Sequence, residues 1–396
     1  MENEKRLDMA VANFKELFTS NDYEIYSAPG RTELIGNHTD HQHGCVITAS
    51  VNRDILAIVN KSLDNSVNIY SEGFGWLRLS LDELEKKSGE EGTTLSLIRG
   101  VLAGLKQKGY EVRGFNAYLT SDIPTGAGLS TSAAFEVLIG TIISGLFHEG
   151  KIDPVLIAQI GQYAENEYFG KGSGLMDQMG CEIGGCIYID FADPKSPVME
   201  RIKTDFPASG YDLCLTDTKG SHADLKDEYS MMPNEMYEIA AFFGRKCLRD
   251  VSEEDFYRSL PEIHGTLSDR CILRAIHFYN EQKRVAAAKS ALEENDFTAF
   301  LGILNESGDS SYKYLQNVFS MNDVSHQGVS LGLALSERIL KGKGCFRVHG
   351  GGLAGTILAF VPNEKTAEYK RELESVFGRG SCGIYAIRPV GGVRLG

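Results

Sequence analysis

The stretch AENEYFGKGSGLMDQMGCEIGG (164–185) holds two carboxylates in different settings. Glu165 falls on a helix predicted over 154–168, in line with Ala158 and Gly161. That small-residue face would let another backbone approach and set a carboxylate beside it. Asp177 follows a glycine-rich loop and is flanked by Met176 and Met179. A carboxylate in partly apolar surroundings suits a general base. The plain alternatives are a solvated helix glutamate and a helix-capping aspartate.

A second segment, IPTGAGLSTSAAFE (123–136), places Gly126 and Gly128 in a tight loop. The run Ser130, Thr131, Ser132 follows where an apolar helix begins. Free N–H groups of such a loop and helix start converge on one spot and form an anion site. Ser130 or Thr131 acting only as a helix cap is the simpler reading. The pattern is neither GxxxxGK[ST] nor GxGxxG. In APGRTELIGNHTDHQHG (28–44), Pro29-Gly30 is expected to end a strand. Arg31, Glu33, Asn37, His38, Asp40, His41 and His43 follow within a short span. Carboxylate, amide and imidazole groups together match the donors and acceptors of sugar hydroxyls. A metal centre or a polar surface loop are the other readings, the metal weakened by the lack of a downstream ligand set. A fourth segment, KGKGCFRVHGGGLAGTILAF (341–360), reads as a glycine-rich hairpin or as backbone packed on the phosphate loop.

Strands and helices interleave around these segments. Segments 23–29, 54–60, 65–71, 114–124, 186–192 and 211–218 read as strands from β-branched and alternating composition. Helices are predicted over 94–108, 130–147 and 154–168, and several more follow between 218 and 340. DPKSP (193–197) is a hairpin or a linker, and strand, strand, helix and strand close the chain. The class is α+β, with domains expected at 1–200 and 201–396.

Composition bounds the partners. Forty Lys+Arg against 54 Asp+Glu gives a net charge of -14, which argues against nucleic acid and anionic membrane as partners. The longest mostly apolar stretch, 137–147, is shorter than the roughly 20 residues of a membrane span. Eight dispersed cysteines without a CxxC pair look like reduced, buried thiols, so a soluble cytoplasmic protein is expected. Of the 43 glycines, 17 fall in the windows 28–44, 123–136, 170–185 and 342–355, so the excess is local and fits loops that approach a ligand.

Taken in order, the four segments resemble the motifs of the GHMP small-molecule kinases, and among them the galactokinase family. The first resembles the N-terminal galactokinase signature and the second the ATP-binding PxGxGLSSSA loop. The third resembles the catalytic stretch, and RVHGGGLAGTI the C-terminal glycine motif. The helical segment RCILRAIHFYNEQKRV (270–285) is similar as well. The resemblance implies a two-domain GHMP kinase fold, a ribosomal-S5-like N-terminal domain and a ferredoxin-like C-terminal one, with the active site between them. It implies transfer of the ATP γ-phosphate to the anomeric hydroxyl of an aldohexose, D-galactose foremost. It further implies Asp177 as general base and Arg31 as its cation. Gly126, Ala127, Gly128, Leu129, Ser130, Thr131 and Ser132 would bind ATP, and Ser132 and Glu165 would bind Mg2+. Asn37, His38, Asp40, Gly174 and Tyr229 would contact the sugar. A monomer or weak homo-oligomer is expected.

The departures from that family pattern cluster on sugar recognition. Asn37 stands where most galactokinases carry Glu, and Thr32-Glu33 and His41-Gln42-His43 differ too. LSSS reads LSTS, the tyrosine motif lacks its arginine after Tyr229, and GGGLAG replaces GGGFGG. Arg31, Glu165 and Asp177 are intact. A kinase for N-acetylgalactosamine or arabinose therefore stays open, as does a sugar sensor without turnover.

Overall fold

Two sheets carry the molecule, one of eight strands and one of four. The computed structural model describes residues 2–396 except 125, 221–224 and 354, so Thr125 and Ala354 of the glycine segments fall outside it. The first sheet contains β1 (Glu24–Ile35), β2 (Cys45–Lys61), β3 (Ser66–Ser71), β4 (Gly75–Ser80), β5 (Phe115–Ser121), β6 (Cys186–Asp190) and β7 (Val198–Ile202). The second contains β8 (Tyr211–Asp217), β9 (Cys345–Val348), β10 (Thr356–Pro362) and β11 (Cys382–Tyr385), in the order β11-β8-β10-β9. A last strand, β12 (Val393–Arg394), returns to pair with β1. A division at 200/201 therefore falls inside β7 and leaves β12 of the first sheet on the far side of the cut.

The length of β2 organises the first sheet. Its start pairs with β6 over Cys45–Ala49 and its end pairs with β5 over Ile55–Lys61, while β1 runs antiparallel along both halves. The register shifts between Pro29 and Arg31. Proline has no N–H to give the ladder. Here β1 advances two positions while β2 advances four, from Asp54 to Ser50, so the extra residues bulge out of β2 opposite Gly30. Consequently β1 does not stop at Pro29-Gly30, as expected from the sequence, but continues through the irregularity to Ile35. That continuation places Arg31 on a rigid strand instead of in a loop. DPKSP resolves as the turn of the antiparallel β6–β7 hairpin.

On the outer face of the sheet, α1 (Glu2–Phe18) buries Ala10 and Phe14 against Leu56, Ile58 and Tyr118. The inner face is covered by α2 (Thr94–Gln107), α3 (Thr131–His148), α4 (Pro154–Tyr163) and α5 (Met176–Ile183). Helix α3 is apolar on nearly every side. Among the described residues it alone has the length and mean hydropathy (1.3) of a membrane span, yet 72% of it is buried inside the protein. Gly100 of α2 and Gly140 of α3 sit where a side chain would press on Ala164 and Ile157 respectively, so helix contact here is close. The predicted helix 154–168 divides. Its α-helical part ends at Tyr163, and Ala164–Phe169 form a π-helical turn. Such turns carry a widened backbone and recur at functional sites.

Beyond the first sheet come α6 (Lys226–Phe242), α7 (Glu253–Arg258), α8 (Leu260–His264), α9 (Asp269–Glu293), α10 (Phe297–Ser310), α11 (Gly328–Leu340) and α12 (Thr366–Phe377). One core cluster runs through both sheets, from Ala28, Ile47 and Ile139 to Leu215, Phe300 and Phe360. Helix α9 braces the signature segment from below. Glu281 accepts from the Gly36 N–H at 3.1 Å and Gln282 from the Cys45 N–H at 2.8 Å.

Candidate active site

Asp177 stands in the first turn of α5 and is clasped from two directions. Arg31 donates to its Oδ1 from Nε at 2.7 Å and from Nη2 at 2.6 Å. The Ser130 hydroxyl donates to Oδ2. Arg31 is itself fixed, its Nη1 donating to the Gly128 carbonyl at 2.6 Å and its backbone N–H to the Leu129 carbonyl. The clasp thus joins β1, the phosphate-type loop and α5. Burial pushes the Asp177 carboxyl up, but Arg31, Lys171 and the Ser130 hydroxyl outweigh it and hold the group below the ordinary carboxylate range. The side chain keeps 21% of its surface open. Met176 and Met179 face the other way, into a cluster with Val46, Ala158 and Ile187. The apolar environment expected around Asp177 is therefore corrected: its neighbours are charged, because the helix turns the two methionines inward.

The loop before α3 alternates. Ala127 and Leu129 are buried anchors, while Gly126 and Gly128 stay exposed, with φ of 79° and 71°. Ser130 adopts φ 54° and makes no side-chain capping bond. The capping reading fails there, because its hydroxyl is committed to Asp177. Left-handed backbone is costly for a serine and is held only when its surroundings impose it. Thr131 is exposed and Ser132 half-buried at the open start of α3.

Glu165 lies in the π-helical turn with 1% of its side chain exposed, so it is no solvated helix glutamate. Its Oε1 accepts from Ser132 Oγ at 3.0 Å and Lys171 Nζ at 2.8 Å. Its Oε2 accepts from Ser173 Oγ at 2.6 Å and Gln178 Nε2 at 3.0 Å. The Gln178 amide also donates to Glu136, which is fully buried. Burial, reinforced by the Glu165 charge, pushes the Glu136 carboxyl well above its ordinary range. The small-residue face of α4 does not receive the phosphate-type loop. Gly161 instead leaves room for Glu136 and Gln178, and Ala158 packs on the α5 methionines. Lys171, Ser173 and Gln178 were not singled out from the sequence. Lys171 and Ser173 lie on the glycine-rich segment between the two acids and Gln178 directly follows Asp177, and position was their only signal.

The sugar-type residues divide into a facing set and a supporting set. Asp40 and Gly174 face each other so closely that a Cβ at 174 would collide with the Asp40 carboxylate. Burial and the nearby Asp177 charge push the Asp40 carboxyl up to about 7. His38 bonds the Gly351 carbonyl through Nε2 at 3.1 Å and contacts His41 at 3.3 Å, and burial takes its pKa down to about 4. The Tyr229 hydroxyl donates to the Gly352 carbonyl at 2.7 Å, with its ring packed on Gly351.

Asn37 belongs to the supporting set. It is fully buried, and its Nδ2 donates to Glu33 at 3.1 and 3.2 Å and to the Gly350 carbonyl at 2.7 Å. Its Oδ1 accepts from Asn317 Nδ2 at 2.8 Å. Both ends of the amide are spent inside the protein. Glu33 in turn pairs with the fully buried Arg347 at 2.8 Å, beneath the site. The glycine-rich segment between β9 and β10 is the link of an antiparallel hairpin. Its Gly350 carbonyl meets Asn37 of the sugar-type segment, and the phosphate-type loop is met by side chains, the His349 ring beside Gly128 and Thr356 Oγ1 of β10 near the Gly126 carbonyl.

Comparison with known proteins meets this geometry at the same residues. The galactokinase galactose-binding signature matches residues 12–61, and the GHMP kinase N-terminal domain matches residues 96–185. The galactokinase of Lactococcus lactis subsp. lactis is 29% identical over 388 residues, spanning 95% of this chain and 93% of the relative. The chain thus resembles galactokinases along nearly its whole length and carries a match to the GHMP kinase N-terminal domain. Another relative, the galactokinase of Streptomyces coelicolor, is 28% identical over 378 residues and spans the same shares. In three dimensions, the crystal structure of Lactococcus lactis galactokinase complexed with galactose aligns at a TM-score of 0.85 and 27% identity, covering 98% of this chain and 100% of that one. The Methanococcus jannaschii mevalonate kinase shares the fold at a TM-score of 0.65 and 16% identity. The two-sheet arrangement is that of the GHMP kinases.

Proposed function

We propose that this chain is an ATP-dependent galactokinase, which moves the γ-phosphoryl group of ATP to the anomeric hydroxyl of D-galactose. The observation that carries the reading is the Asp177 clasp. One carboxylate joins the phosphate-type loop through Ser130, the signature strand through Arg31, and faces the sugar side through Asp40 and Gly174. The likeness to galactokinases over nearly the whole chain supports the same assignment. In this role Asp177 accepts the proton of the attacking hydroxyl. Arg31 keeps the carboxylate ionised and stabilises charge that develops on the transferred group. Phosphoryl transfer depends on such positioning and electrostatics far more than on covalent chemistry. The exposed backbone of Gly126 and Gly128 and the open start of α3 would hold the nucleotide phosphates. His38, Asp40 and Gly174, with Tyr229, would contact the sugar.

A magnesium ion suits the corner formed by Ser132 and Glu165. A hydroxyl and a buried carboxylate are hard oxygen donors, the kind that hold Mg2+ when substrate phosphates complete its shell. Bound there, the ion would neutralise phosphate charge. All eight cysteines are free and buried, which supports the cytoplasmic location expected from their dispersion.

The test is ADP release with Mg·ATP and a panel of galactose, glucose, N-acetylgalactosamine, arabinose and glucuronate. Turnover of galactose above the others is the expected result. Preference for another sugar would move the substrate, and sugar binding without any turnover would make the chain a sensor.

A further inference from the structure

His349 directly follows β9 in the glycine-rich segment, with 2% of its surface exposed. Its Nε2 lies 3.1 Å from the Glu33 backbone nitrogen and 3.0 Å from Thr32 Oγ1. A backbone N–H can only donate, so Nε2 must carry the lone pair. The neutral ring then bears its proton on Nδ1. Among the described residues that Nδ1–H has no hydrogen-bond partner. It is aimed at the phosphate-type loop, where a Cβ built on Gly128 would stand 2.9 Å from it. The neighbouring acceptors are unequally engaged. The Gly128 carbonyl is taken by Arg31 at 2.6 Å, whereas the Gly126 carbonyl has only a long 3.4 Å contact from Thr356. Buried donors are almost always paired, and leaving one unpaired is costly.

We propose that His349 is a positioning residue that ties the sugar strand to the phosphate loop, its unpaired Nδ1–H being the donor that the Gly126–Gly128 backbone takes up when nucleotide fills the loop. On one side the ring fixes Thr32 and Glu33, next to Arg31 in β1. On the other it receives the loop that supplies Ser130 to Asp177. Nucleotide binding would then be strengthened by the bond it completes, and the strand carrying Arg31 would be held to the loop during the reaction. This inference rests on the reading of residues 126–132 as the ATP loop.

Glutamine and asparagine separate the two ends of the ring. His349→Gln keeps an acceptor near the Nε2 position and loses the Nδ1 donor, and His349→Asn does the reverse. Affinity for Mg·AMP-PNP and, separately, for galactose is measured by calorimetry on the wild-type and both variants. His349→Gln is expected to weaken Mg·AMP-PNP binding at least about 5-fold, the lower end of an ordinary coupling, with galactose affinity within about 2-fold of wild type. Nucleotide binding by His349→Gln equal to wild type overturns the proposal. Should that variant not fold, 15N spectra of the wild-type imidazoles decide. The His349 Nδ1–H signal is expected to shift and become protected from exchange when Mg·AMP-PNP is added, and an unchanged signal in the loaded protein overturns the proposal. If the wild-type does not bind Mg·AMP-PNP at all, it is the ATP-loop reading that fails.

Discussion

Replacing Asp177 by asparagine removes one charge and changes almost no shape. Asn can still offer its carbonyl to Arg31, where Nε and Nη2 now reach a carboxylate oxygen at 2.7 and 2.6 Å, and its amide to the Ser130 oxygen. Two effects follow. For stability, Arg31 loses its ionic partner while keeping a hydrogen bond, and it has a second carboxylate, Glu33, within electrostatic reach. The difference between charged and neutral hydrogen bonds then sets a loss of about 1–3 kcal/mol, below the roughly 3–5 kcal/mol of a buried pair broken outright. For catalysis, a positioned base contributes about 10²- to 10⁴-fold. Arg31, Lys171 and Ser130 hold Asp177 below the ordinary carboxylate range, which keeps it ionised but makes it a weak base. The loss in kcat is therefore expected in the lower part of that range, roughly 10²- to 10³-fold, or about 2.7–4 kcal/mol of barrier. The assay is ADP release at saturating Mg·ATP and galactose, with nucleotide affinity and thermal unfolding measured on the same preparation. A folded variant with kcat within about 3-fold of wild type refutes the base assignment and with it the reasoning from the clasp.

Other predictions concern the supporting residues. A Cβ at Gly174 would strike the Asp40 carboxylate, so Gly174→Ala should raise KM for sugar at least about 10-fold with little change in KM for ATP, as steady-state kinetics will read. Asn37→Glu would set a second carboxylate beside Glu33 over a single Arg347, costing about 3–5 kcal/mol, whereas the swap Glu33→Asn with Asn37→Glu keeps the charge count and should unfold at higher denaturant than Asn37→Glu alone. Asp40, raised to about 7 when folded, gives stability that is present below its unfolded pKa and lost as pH climbs through about 7. Relative to Asp40→Asn, the wild-type should therefore lose thermal stability between about pH 4 and about pH 7 and level off above it, and a constant difference would contradict the raised pKa. Ser132→Ala and Glu165→Gln should each lower the apparent affinity for Mg2+ in turnover at fixed ATP, while leaving galactose binding measured by calorimetry within about 2-fold.

Local chemistry made much of this site readable in one dimension. Gly126 and Gly128 with three hydroxyls at a helix start describe an anion site because the backbone N–H groups involved are neighbours in sequence. The signature residues 28–44 and the acids Glu165 and Asp177 stood out for the same reason, and the α+β class followed from alternation of strand and helix patterns. What the chain order could not supply was any pairing across long separations. Asn37 has the residue type of a sugar contact, yet its amide is consumed by Glu33, Gly350 and Asn317, partners up to 313 positions away. The methionines beside Asp177 suggested an apolar setting, but helical geometry sends them into the core and leaves the carboxylate to Arg31 across 146 positions. Strand β1 passes the irregularity because β2, which bulges opposite Gly30, continues to pair beyond it, a tertiary fact that overrides the local stop at Pro29-Gly30. Sequence alone determined which groups are available for chemistry. Only packing decided which of them remain free to meet a ligand, since each buried polar atom takes whatever partner the fold brings within hydrogen-bond distance.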